Sequence, residues 1–332
     1  MNYIGSKLKL CQDFLPKTIH AVCGEDLSQK VFCDIFAGTG IVGRTFKPKV
    51  KSVISNDIEY YSYVLNKNYI ENHRPIKNKL SYLDELNSLK PIKTGFIYNN
   101  YCIGGSKLRQ YFSDDNGGKI DAIRTKIEEW RSSDKIKSDL YYYLLCSLLE
   151  AADKVANTAS VYGAYLKKIK KSAAKDLLLV DAEYTLNSNT HKVYQEDANE
   201  LIKNIEGDIL YLDPPYNSRQ YGANYHLLNT IAEYKKFEPK GMTGLREYSK
   251  SKYCSSTTVK EEFENLIKNA RFRYIFLSYN NEGLMTIEDI KSIMKKYGKY
   301  DLAKTKYQRF KADSNRLNKA DSTIEYLHIL EK

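Results

Sequence analysis

Apolar positions along the chain alternate between short continuous runs and longer stretches with helical spacing, the pattern of an α/β protein. Ile209–Leu212 (ILYL), Val31–Phe36 (VFCDIF), Ser52–Asn56, His191–Glu196 and Arg273–Tyr279 read as strands. The unbroken ILYL run predicts a parallel strand covered on both faces, since a strand with one wet face would alternate. Helices are predicted from Leu8, where Leu8, Cys11, Phe14 and Leu15 share a face, and over the tyrosine-rich stretch from Ile58 toward His73. Further helical patterns cover Lys119–Trp130, Ser138–Val155 and Ile287–Tyr297. Tyr307–Phe310 and Thr323–Leu330, joined by Lys311–Asp321, predict an antiparallel hairpin that closes the sheet.

The βα alternation lapses between residues 75 and 190. A connection of ~115 residues is too long for a compact sheet, so the spacing predicts an inserted, mostly helical subdomain at 75–190, with 1–74 and 191–332 forming the sheet domain. Ser113–Gly118, rich in Asn, Gly and Asp, reads as a loop inside it.

Candidate chemistry gathers where strands end. After ILYL the chain reads Asp213-Pro214-Pro215-Tyr216; two prolines cannot continue a ladder, so the strand stops at Asp213, on the side where open α/β sheets bind ligands. The stiff turn can hold the Asp213 carboxylate and the Pro214 carbonyl as convergent acceptors for one NH2 group. Tyr216 supplies a flat face for the ring that carries it. Val31–Phe36 runs into Ala37-Gly38-Thr39-Gly40, a strand, glycine turn and helix suited to a nucleotide-type cofactor. Asp57 ends the next strand, 19 residues after Gly38, where an acid can accept from ribose hydroxyls. Asp197 ends the strand after the insert, where it can accept from an adenine amino group.

Charge adds a partner to this picture. The 332 residues carry 52 Lys plus Arg against 41 Asp plus Glu, net +11, which favours a polyanion such as nucleic acid. Lys167, Lys168, Lys170 and Lys171 lie beside Tyr162 and Tyr165, a mixture suited to phosphate contact and base stacking; an ordinary solvated helix face is the equal alternative for this piece. Glu238–Thr258 carries Lys240, Arg246, Lys250 and Lys252 and reads as a mobile clamp over a polyanion. The six cysteines and five histidines are scattered without metal-ligand spacing, so reduced thiols and no metal are expected. No stretch reaches a transmembrane length, and a cytoplasmic, non-membrane protein is expected.

With these motifs in order, the chain resembles the Dam-like (D12, alpha) class of DNA N6-adenine methyltransferases over nearly its whole length. The resemblance implies a Rossmann-like, S-adenosylmethionine-dependent methyltransferase fold, with a mostly parallel sheet and an inserted target-recognition subdomain. By this resemblance Tyr3 and Lys7, in Tyr3-Ile4-Gly5-Ser6-Lys7, hold the methionine end of the cofactor. Asp34, Phe36, Gly38 and Gly40 form its loop, Asp57 takes the ribose and Asp197 lies near its adenine. Asp213, Pro214, Pro215 and Tyr216 are the catalytic motif, with Asp213 also facing the cofactor. Ala198 departs from the pattern, since many relatives carry an aromatic there.

The neighbourhoods NYIGSKLKL, DKVANTASVYGAYLKKIKK and DPPYNSRQYGANYHLLNTIAEY look most like methyltransferases of type II restriction systems that act on CATG. That implies a double-stranded DNA substrate, a flipped adenine, and functional pairing with a cognate nuclease without physical contact; a monomer is slightly favoured. RNA adenine, cytosine N4 and a glutamine amide stay open as acceptors, though Asp213 points to adenine. The glycine loop alone would also suit an NAD enzyme, and a nucleic-acid-binding module without chemistry is the non-enzymatic alternative.

Overall fold

The computed structural model of the protein describes residues 5–308 and 322–332. The chain forms two compact units: one of 5–73, 187–220 and 250–332, the other of 74–186 with 221–249.

The first unit is built on a seven-stranded sheet. Its strands are β1 (Val31–Asp34), β2 (Ser52–Asn56), β3 (Lys192–Tyr194), β4 (Glu206–Leu212), β5 (Arg271–Asn280), β6 (Lys299–Gln308) and β7 (Ser322–Glu331). Their order is β3-β2-β1-β4-β5-β7-β6, and β7 alone runs opposite to the other six. The expected fold class, mostly parallel with a closing hairpin, is therefore observed. Because side chains alternate along a strand, Ile209 and Tyr211 of β4 enter one apolar layer while Leu210 and Leu212 enter the other. The first layer also takes Leu10, Leu15 and Ile19 from the helices Leu8–Gln12 and Phe14–Cys23, the second Phe263, Leu266 and Ile267 from Val259–Asn269. The order of strands reverses between β1 and β4, so the ends of these two strands flank the crevice that such sheets leave open.

Several boundaries differ from the sequence reading, three of them in strands that frame the sheet. β3 spans three residues rather than six, and β1 ends at Asp34 rather than Phe36. β6 begins at Lys299, eight residues before Tyr307; its KYDLAKTK pattern is that of a polar edge strand, which carries little hydrophobic signal. Residues 309–321, which include all of the expected connection Lys311–Asp321 and the end of the expected strand Tyr307–Phe310, lie outside the described residues.

The second unit is mostly helical. Asp114–Ser132 begins five residues before the expected Lys119, because Ser113 caps it and Gly117 and Gly118 are packing positions rather than loop. A Cβ on Gly117 would sit 2.1 Å from Cys102 Sγ, and one on Gly118 2.7 Å from the Ile92 carbonyl. Tyr221–Ser249, expected with the sheet, packs here. Buried Arg124 donates to the Ile231 and Ala232 carbonyls at 3.2 and 3.1 Å, and Tyr234 donates to Asp121 at 2.5 Å. Among the described residues no helix is long and apolar enough to cross a membrane.

Candidate active site

The glycine turn after β1 is fixed from three sides. Gly38 and Gly40 have φ of +52° and +74°, a region that favours glycine, and a Cβ on Gly40 would lie 2.5 Å from Asn66 Oδ1. Asp57, at the end of β2, accepts from the Gly38 N–H at 2.7 Å and the Glu59 N–H at 2.9 Å. Asn66 donates to the Gly38 carbonyl at 3.1 Å, and Ser62 donates to the same carbonyl. Asn56 ties the neighbouring ends together, donating to the Ile35 and Glu196 carbonyls and accepting the Glu196 N–H. Burial raises the Asp57 carboxyl while the two N–H groups pull it back down.

Asp34 lies at the end of β1 with 1% exposure, and neither carboxylate oxygen has a hydrogen-bond partner among the described residues. The Gly43 N–H acts on it electrostatically without reaching hydrogen-bond geometry. Burial, and then the nearby Asp213 charge, push the Asp34 carboxyl well above its usual range. A buried, unsatisfied carboxyl is costly, by roughly 1–3 kcal/mol for its lost hydration, and such a group suits a cationic ligand.

Asp213 follows β4 directly, one strand away from Asp34. Its side chain keeps 20% exposure, and its Oδ1 meets the Lys7 ammonium at 2.8 Å. Lys7, 7% exposed, also meets Glu325 Oε1 at 3.3 Å and the Gly5 carbonyl at 3.5 Å. Burial pushes the Asp213 carboxyl up to about 6, Lys7 opposing and Glu325 adding to the rise. Burial works against the Lys7 charge, but Asp213 and Glu325 outweigh it and hold the ammonium well above its ordinary value. The peptide bonds of the Pro214-Pro215 turn are trans, Pro214 is buried, and the Tyr216 carbonyl accepts the Leu284 N–H at 3.0 Å. The Tyr216 ring is half-buried, edge-on to Tyr279 at 6.4 Å.

The structure thus brings Lys7, Asp34, Gly38, Gly40, Asp57 and Asp213 to adjoining ends of one sheet. Phe36 packs edge-on against Tyr253 at 5.1 Å. Asp197 caps the helix Ala198–Leu201 by accepting the Asn199 N–H at 2.8 Å, and Ala198 is buried. Lys7, expected at the cofactor, has its ammonium engaged by two carboxylates. Tyr3 lies outside the described residues.

The basic candidates divide. Lys167, Lys168 and Lys171 are exposed on a segment without helix or strand, which Asn157 pins by donating to the Leu166 carbonyl at 2.9 Å and accepting the Lys170 N–H at 3.0 Å. Lys170 itself donates to the Thr158 carbonyl at 2.7 Å. Tyr162 is fully buried and hydrogen-bonded to Asp153, so the expected stacking role is corrected for that ring. Residues 240–245 close as a tight turn whose Gly241 and Met242 carbonyls are gripped by Arg109, so this part of the loop expected to be mobile is held in place. Lys240 pairs with Glu247, Arg246 with Glu233 and Lys252 with Glu262, while Lys250 is exposed.

Sequence reasoning missed Glu325, Ser62 and Asn66. Ser62 and Asn66 are buried polar residues four apart on a helix otherwise packed by Tyr61, Val64 and Leu65, a signal that helical spacing could have revealed. Glu325 had no such signal.

Residues 3–293 match the family model described as D12 class N6 adenine-specific DNA methyltransferase. The chain is 63% identical over 334 residues to the type II methyltransferase M.NlaIII of Neisseria lactamica, covering 100% of this chain and 99% of that protein. It is 39% identical to M.CviAII of Paramecium bursaria Chlorella virus 1, covering 94% and 93%. It is 40% identical to M.FokI of Planomicrobium okeanokoites, covering 100% of this chain but 53% of that longer protein.

Proposed function

The chain belongs to the D12 class of N6 adenine-specific DNA methyltransferases, and on that premise we propose that Asp213, Pro214, Pro215 and Tyr216 carry the transfer. It is an S-adenosylmethionine-dependent, site-specific DNA methyltransferase of the type II restriction-modification kind. When bound, that cofactor supplies a methyl group on a sulfonium as the electrophile.

The residues at the strand ends fit such a ligand. The unpartnered Asp34 carboxylate would take the cofactor's ammonium, a cation that would return Asp34 to its charged form. The Gly38–Gly40 turn gives bare backbone beside it, Asp57 would take the ribose, and Phe36 and Asp197 would border the adenine. Tyr3 is carried as a further contact by family resemblance alone.

Transfer to N6 needs the amino lone pair turned out of the ring plane. Asp213 and the Pro214 carbonyl would accept its two N–H bonds, and Pro215 would keep the two acceptors from drifting apart. Tyr216 would stack on the adenine, which must leave the duplex at an unstacking cost of roughly a few kcal/mol. As the nitrogen becomes cationic, the Asp213 carboxylate stabilises the charge until the proton leaves. A carboxyl with a pKa of about 6 is charged at neutral pH and so available as an acceptor.

The unit of 74–186 with 221–249 is the target-recognition part in this reading. Lys167, Lys168 and Lys171 on their pinned segment contact phosphates, with Lys170, Lys240, Lys250 and Lys252 as further candidates, whereas Arg246 is taken up by Glu233 at 2.9 Å. The DNA site is CATG, and the enzyme acts as a monomer whose partner nuclease reads the same site without touching it. The observation that carries the reading is the pairing of a charged Asp213 at the end of β4 with an unsatisfied Asp34 at the end of β1. Treating unmodified duplex DNA with the protein and S-adenosylmethionine should protect it from a CATG-cutting nuclease. Methylated DNA that such a nuclease still cuts would overturn the site, and label in RNA or in N4-methylcytosine would overturn the substrate.

A further inference from the structure

Glu325 is a buried carboxylate, 5% exposed, with no place in the mechanism above. It sits on β7, the antiparallel strand between β5 and β6, opposite Asn280 at the end of β5, and so reaches the site from beyond β5. Its Oε1 lies 3.3 Å from the Lys7 ammonium and accepts the Ser278 hydroxyl at 3.0 Å. Lys7 in turn is 2.8 Å from Asp213 Oδ1. One ammonium is therefore shared by two carboxylates that lie 112 residues apart in sequence, Asp213 and Glu325, in a nearly dry setting.

Neutralising Asp213 needs only Lys7. A second carboxylate beside the same ammonium costs desolvation and repels Asp213, so it is unfavourable unless it does something else. It has two effects. It gives the flexible lysine a second anchor, which fixes the ammonium at Oδ1. It also weakens the grip of Lys7 on Asp213, so the carboxylate keeps more of its basicity toward the amino protons.

We propose that Glu325 is a positioning residue for methyl transfer, holding the Lys7 ammonium at one oxygen of Asp213 and tuning how strongly that carboxylate accepts from the adenine amino group. This rests on Asp213 being the acceptor. Among the described residues, the charged and titratable groups facing Asp213 are Lys7, Glu325, Asp34 on β1, Cys11 on the first helix and Tyr211 on β4, with Tyr216 beside Lys7. Lys7 is the cation among them and lowers the Asp213 pKa, while Glu325 raises it toward its value of about 6.

The two neighbours must therefore shift the acid limb of the reaction in opposite directions. Single-turnover methylation at saturating DNA and cofactor, measured from pH 5 to 8, reads that limb directly. Glu325→Gln should move it to lower pH by about one unit, and Lys7→Met should move it to higher pH by roughly one unit or more. A purely structural role would lower the rate in both variants with the limb in place. Should Glu325→Gln fail to fold, Glu325→Asp draws the charge back by one carbon and should shift the limb the same way by less. A limb unmoved in either Glu325 variant, while Lys7→Met moves it, overturns the role of Glu325 and leaves Asp213 as acceptor. A wild-type profile without an acid limb, or turnover by Asp213→Asn, overturns the acceptor reading itself.

Discussion

At the ends of β1, β2 and β4 the candidate catalytic groups are held by partners from distant parts of the sheet unit: Gly38 by Asp57, Ser62 and Asn66, and Asp213 by Lys7 with Glu325 behind it. Lys167, Lys168 and Lys171 in the helical unit are the reverse case. Their backbone is pinned through Asn157, but the side chains are exposed on a stretch without regular structure. The contrast matches two demands. Methyl transfer depends on sub-ångström placement of acceptors, whereas phosphate contacts need positive charge within reach and tolerate mobile side chains. A change at the strand ends should therefore alter rate, and a change in the lysine segment should alter affinity and its salt dependence.

The sharpest way to break this division is Asp213→Ala, which should lower single-turnover transfer on the order of 10³-fold or more while leaving DNA binding intact. A fall in DNA affinity of similar size would erase the distinction. Tyr216→Ala should follow with a loss of about 10- to 100-fold, the size expected for one base–aromatic stack, whereas Tyr216→Phe keeps most activity. Equal losses in both variants would assign the hydroxyl, not the ring, the main role.

Replacing Lys167, Lys168 and Lys171 together by alanine should reduce the slope of log affinity against log salt by about 2.7 and leave the single-turnover rate at saturating DNA unchanged. Binding titrations across a range of salt concentrations check this, and an unchanged slope would remove the segment from the DNA contact. In the wild type, the rate should fall as pH drops through about 6, where the raised Asp213 carboxyl takes up its proton. Above that value the group is charged and the rate should level off. The smallest effect is expected for Arg246→Ala. Because Arg246 is engaged with Glu233 at 2.9 Å, denaturant melts should register a loss of about 1 kcal/mol and the salt slope should barely move.

The same contrast explains what could be read from the sequence. The strand cores and their ends are local signals: ILYL followed by two prolines, and a glycine turn directly after VFCDIF, need no knowledge of the rest of the chain. Family resemblance added roles to those residues. The pairing of Lys7 with Asp213 and Glu325 joins residues hundreds of positions apart, and no periodicity reports such a contact. Gly117 and Gly118 read as loop because glycine is a turn former, yet here they let the chain segments at Cys102 and Ile92 approach a helix closely. Tyr221–Ser249 follows the motif in sequence and so reads with the sheet, whereas the buried contacts of Arg124 and Asp121 that join it to the helical unit carry no local signal.

The central claim is that Asp213 receives the amino group of adenine in DNA. The most direct test incubates wild type and Asp213→Ala with duplex DNA and S-adenosylmethionine carrying a tritiated methyl group, then digests the DNA to nucleosides. Label in N6-methyldeoxyadenosine from the wild type, and none from an Asp213→Ala protein that still binds DNA and cofactor, is the predicted result. Undiminished label from Asp213→Ala, or wild-type label in a different nucleoside, would contradict it.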